Sequence, residues 1–181
     1  FFDFVGEVEE AVAAADAAII VVSGKAGVEV GTQKAWELCE KYKLPRMIYV
    51  SDMDVDNASF REVVETLTEM YGKKIAPFYQ PIRENEKFVG YINVMKMAGR
   101  RFTGIGARED CEIPDYCRPN LDIYREAMMD AVAETSEEFM ERYFAGDEFS
   151  VGEIRAAMKM NVEDGSIIPV SMGSSMEIRN I

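Results

Sequence analysis

The sequence predicts an α/β fold, in which a parallel sheet flanked by helices is joined to a smaller insert with antiparallel strands. Two short stretches typical of buried strands, residues 17–23 and 46–50, are separated by a helical pattern over residues 33–42. A strand–helix–strand unit of this kind places its two strands in parallel. After residue 72, strand-like runs alternate with charged turns, which is typical of an antiparallel sheet.

Composition limits the classes of function. At 181 residues with 48% hydrophobic content, the chain can form one domain, with or without a sizeable insertion. The longest apolar run, residues 17–22, is too short to span a bilayer, and no signal-peptide pattern opens the chain. The net charge of −13 argues against direct binding to nucleic-acid phosphates. Contact with a basic protein surface stays possible.

The cysteines indicate a reducing compartment. Cys39, Cys111 and Cys117 are an odd number, and we expect reduced thiols in a cytoplasmic protein. No histidine is present to help build a zinc site, so we expect no metal ion in this chain, and the commonest general base is absent as well.

The first half of the chain reads as follows. Residues 3–15 form an amphipathic pattern typical of a helix, and residues 17–23 a continuous apolar strand of the kind that is buried on both faces. A glycine-punctuated loop over residues 24–31 leads to Thr32, a predicted N-cap for the helix at 33–42. The second strand, residues 46–50, follows.

The second half begins with a helix over residues 60–71, which Ser59 caps and Gly72 ends. We then predict strands at 75–82, 87–97 and 100–105, a loop over 104–119, a long helix over 121–144 with a strongly acidic side, a helix over 151–162 and a buried strand over 166–172.

Two polar stretches that follow strands are candidate binding elements. Asp54 comes directly after the second strand, where a carboxylate can accept two parallel hydrogen bonds, as from the N–H and NH₂ groups on the edge of guanine. Asp52, Asp54 and Asp56 could equally be cap or turn residues, and the residue types alone favour that second interpretation. Gly173, Ser174 and Ser175 offer open backbone N–H groups after the last strand, which is also common loop chemistry.

Several stretches, taken in order, resemble elongation factor G. Residues 3–18 are similar to the segment after its Asp-Thr-Pro-Gly motif, and residues 41–46 (Lys-Tyr-Lys-Leu-Pro-Arg) continue the likeness. Val50-Ser51-Asp52-Met53-Asp54 lies where the family has Val-Asn-Lys-Met-Asp. Residues 135–143 resemble its Ala-Ser-Glu-Glu-Leu-Met-Glu-Lys-Tyr helix, and residues 170–175 resemble its Val-Thr-Cys-Gly-Ser-Ala guanine loop.

This resemblance implies the C-terminal half of the G domain of an elongation factor G-like translational GTPase. The fold implied is a partial P-loop GTPase-type parallel sheet: residues 1–72 belong to the core, 73–163 to an insert subdomain and 164–181 to the core again. By resemblance, GTP or GDP is the ligand, and Asp54, Ser51, Asp52, Ser174 and Ser175 lie at the guanine base.

The chain departs from the family pattern at three places. Ser51 and Asp52 replace the family's Asn and Lys, and Asp52 puts a negative charge where a lysine stem packs over the base. Phe1 lies where the family has the histidine that positions the attacking water, and phenylalanine cannot form that hydrogen bond. No Gly-x-x-x-x-Gly-Lys-Ser/Thr loop is present. We therefore expect a paralogue, seen as a fragment that contains no catalytic residue, is itself inactive and binds neither nucleotide nor Mg²⁺ alone.

The resemblance also implies partners. The family acts on the ribosome, where its insert contacts the ribosomal stalk protein, and the acidic helix over residues 121–144 is our candidate for that contact. Two alternatives stay open at this point. One is a degenerate GTPase domain that serves as a protein-interaction module, and the other is an unrelated flavodoxin-like or phosphotransfer domain that binds Mg²⁺ through Asp52 and Asp54.

Overall fold

The computed structural model describes residues 3–176 and contains two four-stranded sheets. The helices are α1 (Val5–Ala13), α2 (Val30–Tyr42), α3 (Phe60–Tyr71), α4 (Arg118–Ala133), α5 (Glu137–Ala145) and α6 (Val151–Glu163). The strands are β1 (Ala18–Ser23), β2 (Arg46–Ser51), β3 (Ile75–Pro77), β4 (Tyr79–Glu84), β5 (Lys87–Asn93), β6 (Ala98–Gly104), β7 (Ala107–Cys111) and β8 (Ile168–Met172). The predicted α/β class with a separate antiparallel sheet is confirmed.

The parallel sheet has the strand order β1-β2-β8-β3, and every neighbouring pair in it is parallel. The predicted strand–helix–strand unit is therefore confirmed as β1-α2-β2. The expectation that the first strand is buried on both faces is wrong. Side chains Ile19 and Val21 are 64% and 61% exposed, so the face of β1 that carries them is largely open to solvent. β1 also lies at the edge of the sheet.

Most of the signals predicted at the helix ends are confirmed. Ser59 accepts a hydrogen bond from the backbone N–H of Glu62 at 3.2 Å, and Gly72 ends α3 with a φ of 81°, as predicted. Thr32 is not the N-cap of α2. The helix begins earlier, with Glu29 as the cap, and Thr32 completes a reciprocal capping box by accepting from the N–H of Glu29.

The strand predicted over residues 75–82 is split between the two sheets. β3 pairs with β8 in the parallel sheet, whereas β4 pairs with β5 in the antiparallel sheet. At the junction, the N–H of Phe78 donates to the carbonyl of Val170 at 2.8 Å, and its own carbonyl accepts from Val94 at 3.0 Å. The division of the chain at residues 72/73 and 163/164 stays a prediction, but residues 75–77 lie in the parallel sheet.

The antiparallel sheet has the order β4-β5-β6-β7. β7 lies inside the stretch that we predicted to be a loop, residues 104–119, so that prediction is wrong in part. The strand is mostly exposed and carries the charged residues Arg108, Glu109 and Asp110, so it lacks the alternation of apolar and polar residues by which a strand is recognised in a sequence. Its backbone pairing with β6 and the ion pair between Arg100 and Asp110 hold it in place.

The long helix predicted over residues 121–144 is two helices, α4 and α5. The break falls at residues 134–136, where Thr135 donates its hydroxyl to the carbonyl of Val132 and Ser136 accepts from the N–H of Phe139 at 3.1 Å. Ser136 is thus the N-cap of a new helix. The helix predicted at 151–162 and the last strand are confirmed as α6 and β8.

The core continues from the parallel sheet into the insert, with α4 packed against β3 and β4. Cys39 and Cys117 are buried free thiols, and burial raises the pKa of each. Cys111 is free and half-buried. No helix within residues 3–176 combines the length and apolar character that crossing a membrane requires.

Candidate functional site

Three loops meet at one edge of the parallel sheet. Residue pairs Ser23↔Ser51 and Val50↔Met172 lie side by side at the ends of β1, β2 and β8. Because these strands run in the same direction, the loops that follow them emerge together at their carboxyl ends. In open parallel sheets, this edge is where ligands bind.

The loop after β2 carries Asp54 in a tightly folded turn. Asp52 has a φ of 60°, a left-handed conformation that aspartate tolerates better than most residues, and its carbonyl accepts from the N–H of Val55 at 3.0 Å. The carbonyl of Val55 in turn accepts from Ala58 at 3.2 Å. Met53 is fully buried, and Asp54 is half-buried. The buried methionine fixes the backbone immediately before Asp54.

The loop after β8 is hydrogen-bonded directly to that turn. The N–H of Gly173 donates to the carbonyl of Val50 at 3.0 Å, and its carbonyl accepts from the N–H of Met53 at 3.3 Å. The expectation that the N–H of Gly173 is open is therefore wrong, because β2 already accepts its hydrogen bond. Ser174 is fully buried, whereas Ser175 is exposed. The structure therefore brings the two predicted binding elements next to each other, although they are more than a hundred residues apart in the sequence.

Ser51 and Asp52 interact with each other. The hydroxyl of Ser51 lies 3.2 Å from Oδ2 of Asp52, and the backbone carbonyl of Ser51 accepts from the N–H of Gly24 at 2.9 Å. The hydroxyl of Ser51 thus has its partner on the neighbouring residue. Two carboxylates, those of Asp52 and Asp54, are left in this one turn, which makes it more acidic than a turn with lysine at position 52.

The alternative role of these aspartates as helix caps is wrong, because Ser59 occupies the N-cap of α3. A turn role does apply to Asp52, through its backbone carbonyl. The described part of the chain, residues 3–176, has no group of three or more carboxylate, cysteine or histidine side chains that could hold a metal ion. In that part of the chain, no third side chain of these types joins Asp52 and Asp54, the pair on which the magnesium alternative rests.

Two residues of this edge were missed at the sequence level. Gly24, the first residue after β1, donates to Ser51 and accepts at its carbonyl from the N–H of Ser59 at 2.8 Å. A glycine directly after an apolar strand was the available signal. Arg83 reaches the turn from β4, and nothing in its local sequence indicates this contact.

The residues present suit a purine base better than they suit phosphates. A half-buried carboxylate offers two acceptor oxygens to adjacent N–H donors, and the glycine–serine loop brings backbone close to the same place. The carboxylate of Asp54 and the glycine–serine loop supply acceptors and a close-lying main chain, but neither of these two elements carries a lysine for a triphosphate. Phe1, the position likened to the catalytic histidine, lies outside the described residues.

A parallel α/β sheet with polar loops at its carboxyl edge is the arrangement in which open α/β domains bind ligands, nucleotides among them. The comparisons with known proteins agree and are more specific. The family model described as elongation factor Tu GTP binding domain matches residues 2–181. The chain belongs to this family of translational GTPase domains.

Among solved structures, the chain is similar to the crystal structure of ttk003000868 from Thermus thermophilus. The sequence identity is 34% and the TM-score 0.86 over 98% of this chain. The match covers 26% of that protein, so the chain spans about a quarter of its relative's length. Family membership removes the alternative of an unrelated flavodoxin-like or phosphotransfer domain.

Proposed function

We propose that the chain is part of an elongation factor G-like GTP-binding protein of the cytoplasm and that its carboxyl-edge loops recognise the guanine base of GTP or GDP. Asp54 accepts hydrogen bonds from the base, and the backbone of Ser174 and Ser175 lies against its edge. The observation that carries this proposal is the hydrogen bond between the N–H of Met53 and the carbonyl of Gly173, which holds both loops together.

The chemistry of Asp54 supports the assignment. Guanine presents two adjacent donors, N1–H and the 2-amino group, and one carboxylate can accept from both. Adenine has no such pair of donors, so a site of this kind prefers guanine. The proposal covers recognition of the base and includes no phosphate or Mg²⁺ contact by residues 3–176.

Replacing Asp54 with asparagine tests this function. The amide keeps one acceptor and adds a donor, so it loses one hydrogen bond to guanine and gains a match to xanthine, which has an oxygen in place of the 2-amino group. Asp54→Asn should weaken GDP binding about 100-fold, or about 3 kcal/mol, and strengthen xanthosine diphosphate binding. Calorimetric titration measures the affinities for GDP and xanthosine diphosphate, with ATP as a third ligand. The titrations use the protein that carries this chain.

The control is Asp56→Asn, which changes the same charge two residues away in an exposed position. This variant should keep the preference for guanine. A gain of xanthine binding in Asp54→Asn cannot come from unfolding, so the test separates recognition from stability. Equal affinities of the wild type for GDP and ATP would contradict the proposal.

The second part of the proposal concerns the ribosome. In the family that the chain resembles, the insert contacts the ribosomal stalk protein, and α5 is the part of the predicted acidic helix that fits best. Glu137, Glu138 and Glu141 are exposed on α5, together with Phe144 at 81% exposure and Met140 at 39%. A helix with exposed carboxylates beside exposed apolar side chains suits a partner with a basic and partly apolar surface.

Reversing the charge of this helix tests the partner. Changing Glu137, Glu138 and Glu141 to lysine should lower the affinity for the stalk protein by about tenfold, mainly by slowing association. Surface plasmon resonance with the immobilised stalk protein measures both rates at two salt concentrations. A control in which Glu10, Glu69 and Glu109 are changed to lysine carries the same charge change on other elements. Equal loss in both variants, or no loss in either, would contradict the role of α5.

A second candidate function is an interaction module that no longer binds nucleotide. The observation that favours it is the paired Ser51 and Asp52, which put a second carboxylate into the turn of Asp54. No detectable binding of GDP, GTP or ATP to the wild-type protein, together with retained binding of the stalk protein, would establish this second function in place of the first.

A further inference from the structure

The turn that carries Asp54 is held from outside the parallel sheet by one arginine. Nη1 of Arg83 donates to the carbonyls of Met53 at 2.9 Å and Ala58 at 3.3 Å. Nη2 donates to the carbonyls of Val55 at 3.4 Å and Glu86 at 2.6 Å. Two of these acceptors, on Met53 and Val55, flank Asp54 on either side in the sequence.

The position of Arg83 in β4 favours its hydrogen bonds to the turn of Asp54. β4 and β5 shift their register between Ile82 and Arg83, so the regular pairing is interrupted where the arginine leaves the sheet. In the turn that follows, Asn85 and Glu86 have positive φ values of 48° and 67°. This turn conformation places the carbonyl of Glu86 beside the guanidinium of Arg83. The hydroxyl of Tyr116 donates to the carbonyl of Arg83 at 3.1 Å. Hydrogen bonds therefore hold both the backbone carbonyl and the guanidinium of Arg83.

The geometry suits an arginine in particular. A planar guanidinium can serve several carbonyls at once from fixed directions, whereas a lysine ammonium cannot keep the same arrangement. Hydrogen bonds from a cation are about twice as strong as neutral ones. The backbone on both sides of Asp54 is thus held by the antiparallel sheet, 28 to 30 residues further along the chain.

We propose that Arg83 is a positioning residue for guanine recognition: it holds the turn of residues 53–58 so that the carboxylate of Asp54 faces both donors of the base. This inference rests on the proposed function of Asp54. It makes the antiparallel sheet of the insert a part of the nucleotide site, although Arg83 acts through the backbone and does not touch the base.

The test compares GDP with inosine diphosphate, which lacks the 2-amino group. The ratio of the two affinities reports whether Asp54 reaches both donors of guanine. Arg83→Gln should weaken GDP binding about tenfold and leave inosine diphosphate binding nearly unchanged, because a misplaced carboxylate loses the second hydrogen bond first. Arg83→Lys, which keeps the charge, is a milder variant and should lower the same ratio. Titration calorimetry on the protein that carries this chain gives both constants.

The matched control is Arg100→Gln, on β6 of the same sheet, where the arginine pairs with Asp110 instead of the turn. It should keep the wild-type ratio. If Arg83 has only a structural role, melting temperature falls in Arg83→Gln and Arg83→Lys while the ratio stays constant, and the inference is overturned. A wild-type protein that binds GDP and inosine diphosphate equally would instead refute the contact of Asp54 itself, and with it the role of Arg83.

Discussion

At the scale of single residues, the turn around Asp54 is held mainly through backbone groups. Carbonyls of Met53, Val55 and Ala58 accept from Arg83, and the N–H of Met53 donates to Gly173. Contacts of this kind do not depend on the side chains of the turn. Ser51 and Asp52 can therefore differ from the family pattern while the path of the backbone is kept.

Gly24 gives a residue-scale prediction. A Cβ atom at this position would lie 3.0 Å from the carbonyl oxygen of Ser51, 3.1 Å from Sδ of Met53 and 3.4 Å from Cβ of Ala58. Gly24→Val should therefore push the turn of Asp54 away from β1 and destabilise the protein by about 1–3 kcal/mol. Urea unfolding measures the stability.

The control for this change is Gly31→Ala. Nothing lies within 4 Å of a Cβ at Gly31, which is in the first turn of α2, so alanine should be neutral or stabilise by up to about 1 kcal/mol. If Gly24→Val leaves the unfolding midpoint unchanged, the close packing of the three loops at this point is not important for stability.

At the scale of elements, serine caps explain where three helices begin. Ser59, Ser136 and Ser150 each accept a hydrogen bond from the backbone N–H three residues later, at the start of α3, α5 and α6. The cap of α6 is reciprocal, since Glu153 accepts from the N–H of Ser150 at 2.8 Å. Arg142 of α5 donates to the same carboxylate at 2.6 Å, which ties the two helices together.

This cap predicts a pH dependence. The hydrogen bonds from Arg142 and from the backbone of Ser150 lower the pKa of Glu153 to about 2. A carboxylate with a lowered pKa stabilises the folded state fully above its unfolded pKa, near 4.5, and loses that contribution as pH falls toward 2. Glu153→Gln should therefore lower the melting temperature at pH 7 and differ less from the wild type at pH 2.5. Thermal denaturation across this range measures the difference.

The control at the same scale is Glu163→Gln, at the opposite end of α6. This variant removes one negative charge from the helix without touching the cap. Its melting temperature relative to the wild type should therefore not change between pH 7 and pH 2.5 in the way expected for Glu153→Gln. A constant difference between Glu153→Gln and the wild type from pH 7 to pH 2.5 would mean that the ion pair with Arg142 contributes nothing measurable.

At the scale of the whole molecule, the two sheets are connected around one site. The chain leaves the parallel sheet after β3, builds the antiparallel sheet and three helices, and returns as β8 between β2 and β3. The returning strand delivers the glycine–serine loop beside Asp54, and β4 delivers Arg83 to the other side of the same turn. The candidate site at Asp54 is therefore built from both sheets. Ile19 and Val21 on β1 leave an apolar face of the sheet exposed within residues 3–176.

Much of this organisation was predictable from local patterns in the sequence. Apolar runs marked β1, β2 and β8, Ser59 and Gly72 marked the ends of α3, and Asp54 and Gly173 followed strands that end at one edge. These features depend on side-chain periodicity and on hydrogen bonds between residues three or four positions apart, so a short window contains their cause. The family resemblance was also visible in the sequence, through the order of several short motifs along the chain.

Other features were decided only by the tertiary structure, because they depend on groups that are distant in the sequence. Whether an apolar strand lies at an edge, as β1 does, depends on which strands are present beside it. The charged strand β7 exists because β6 offers it a hydrogen-bonding edge, and residues 75–77 join the parallel sheet because β8 returns to pair with them. Arg83 reaches the turn of Asp54 across 30 residues for the same reason. Local sequence determined which elements form, and long-range backbone pairing determined which of them meet at the site.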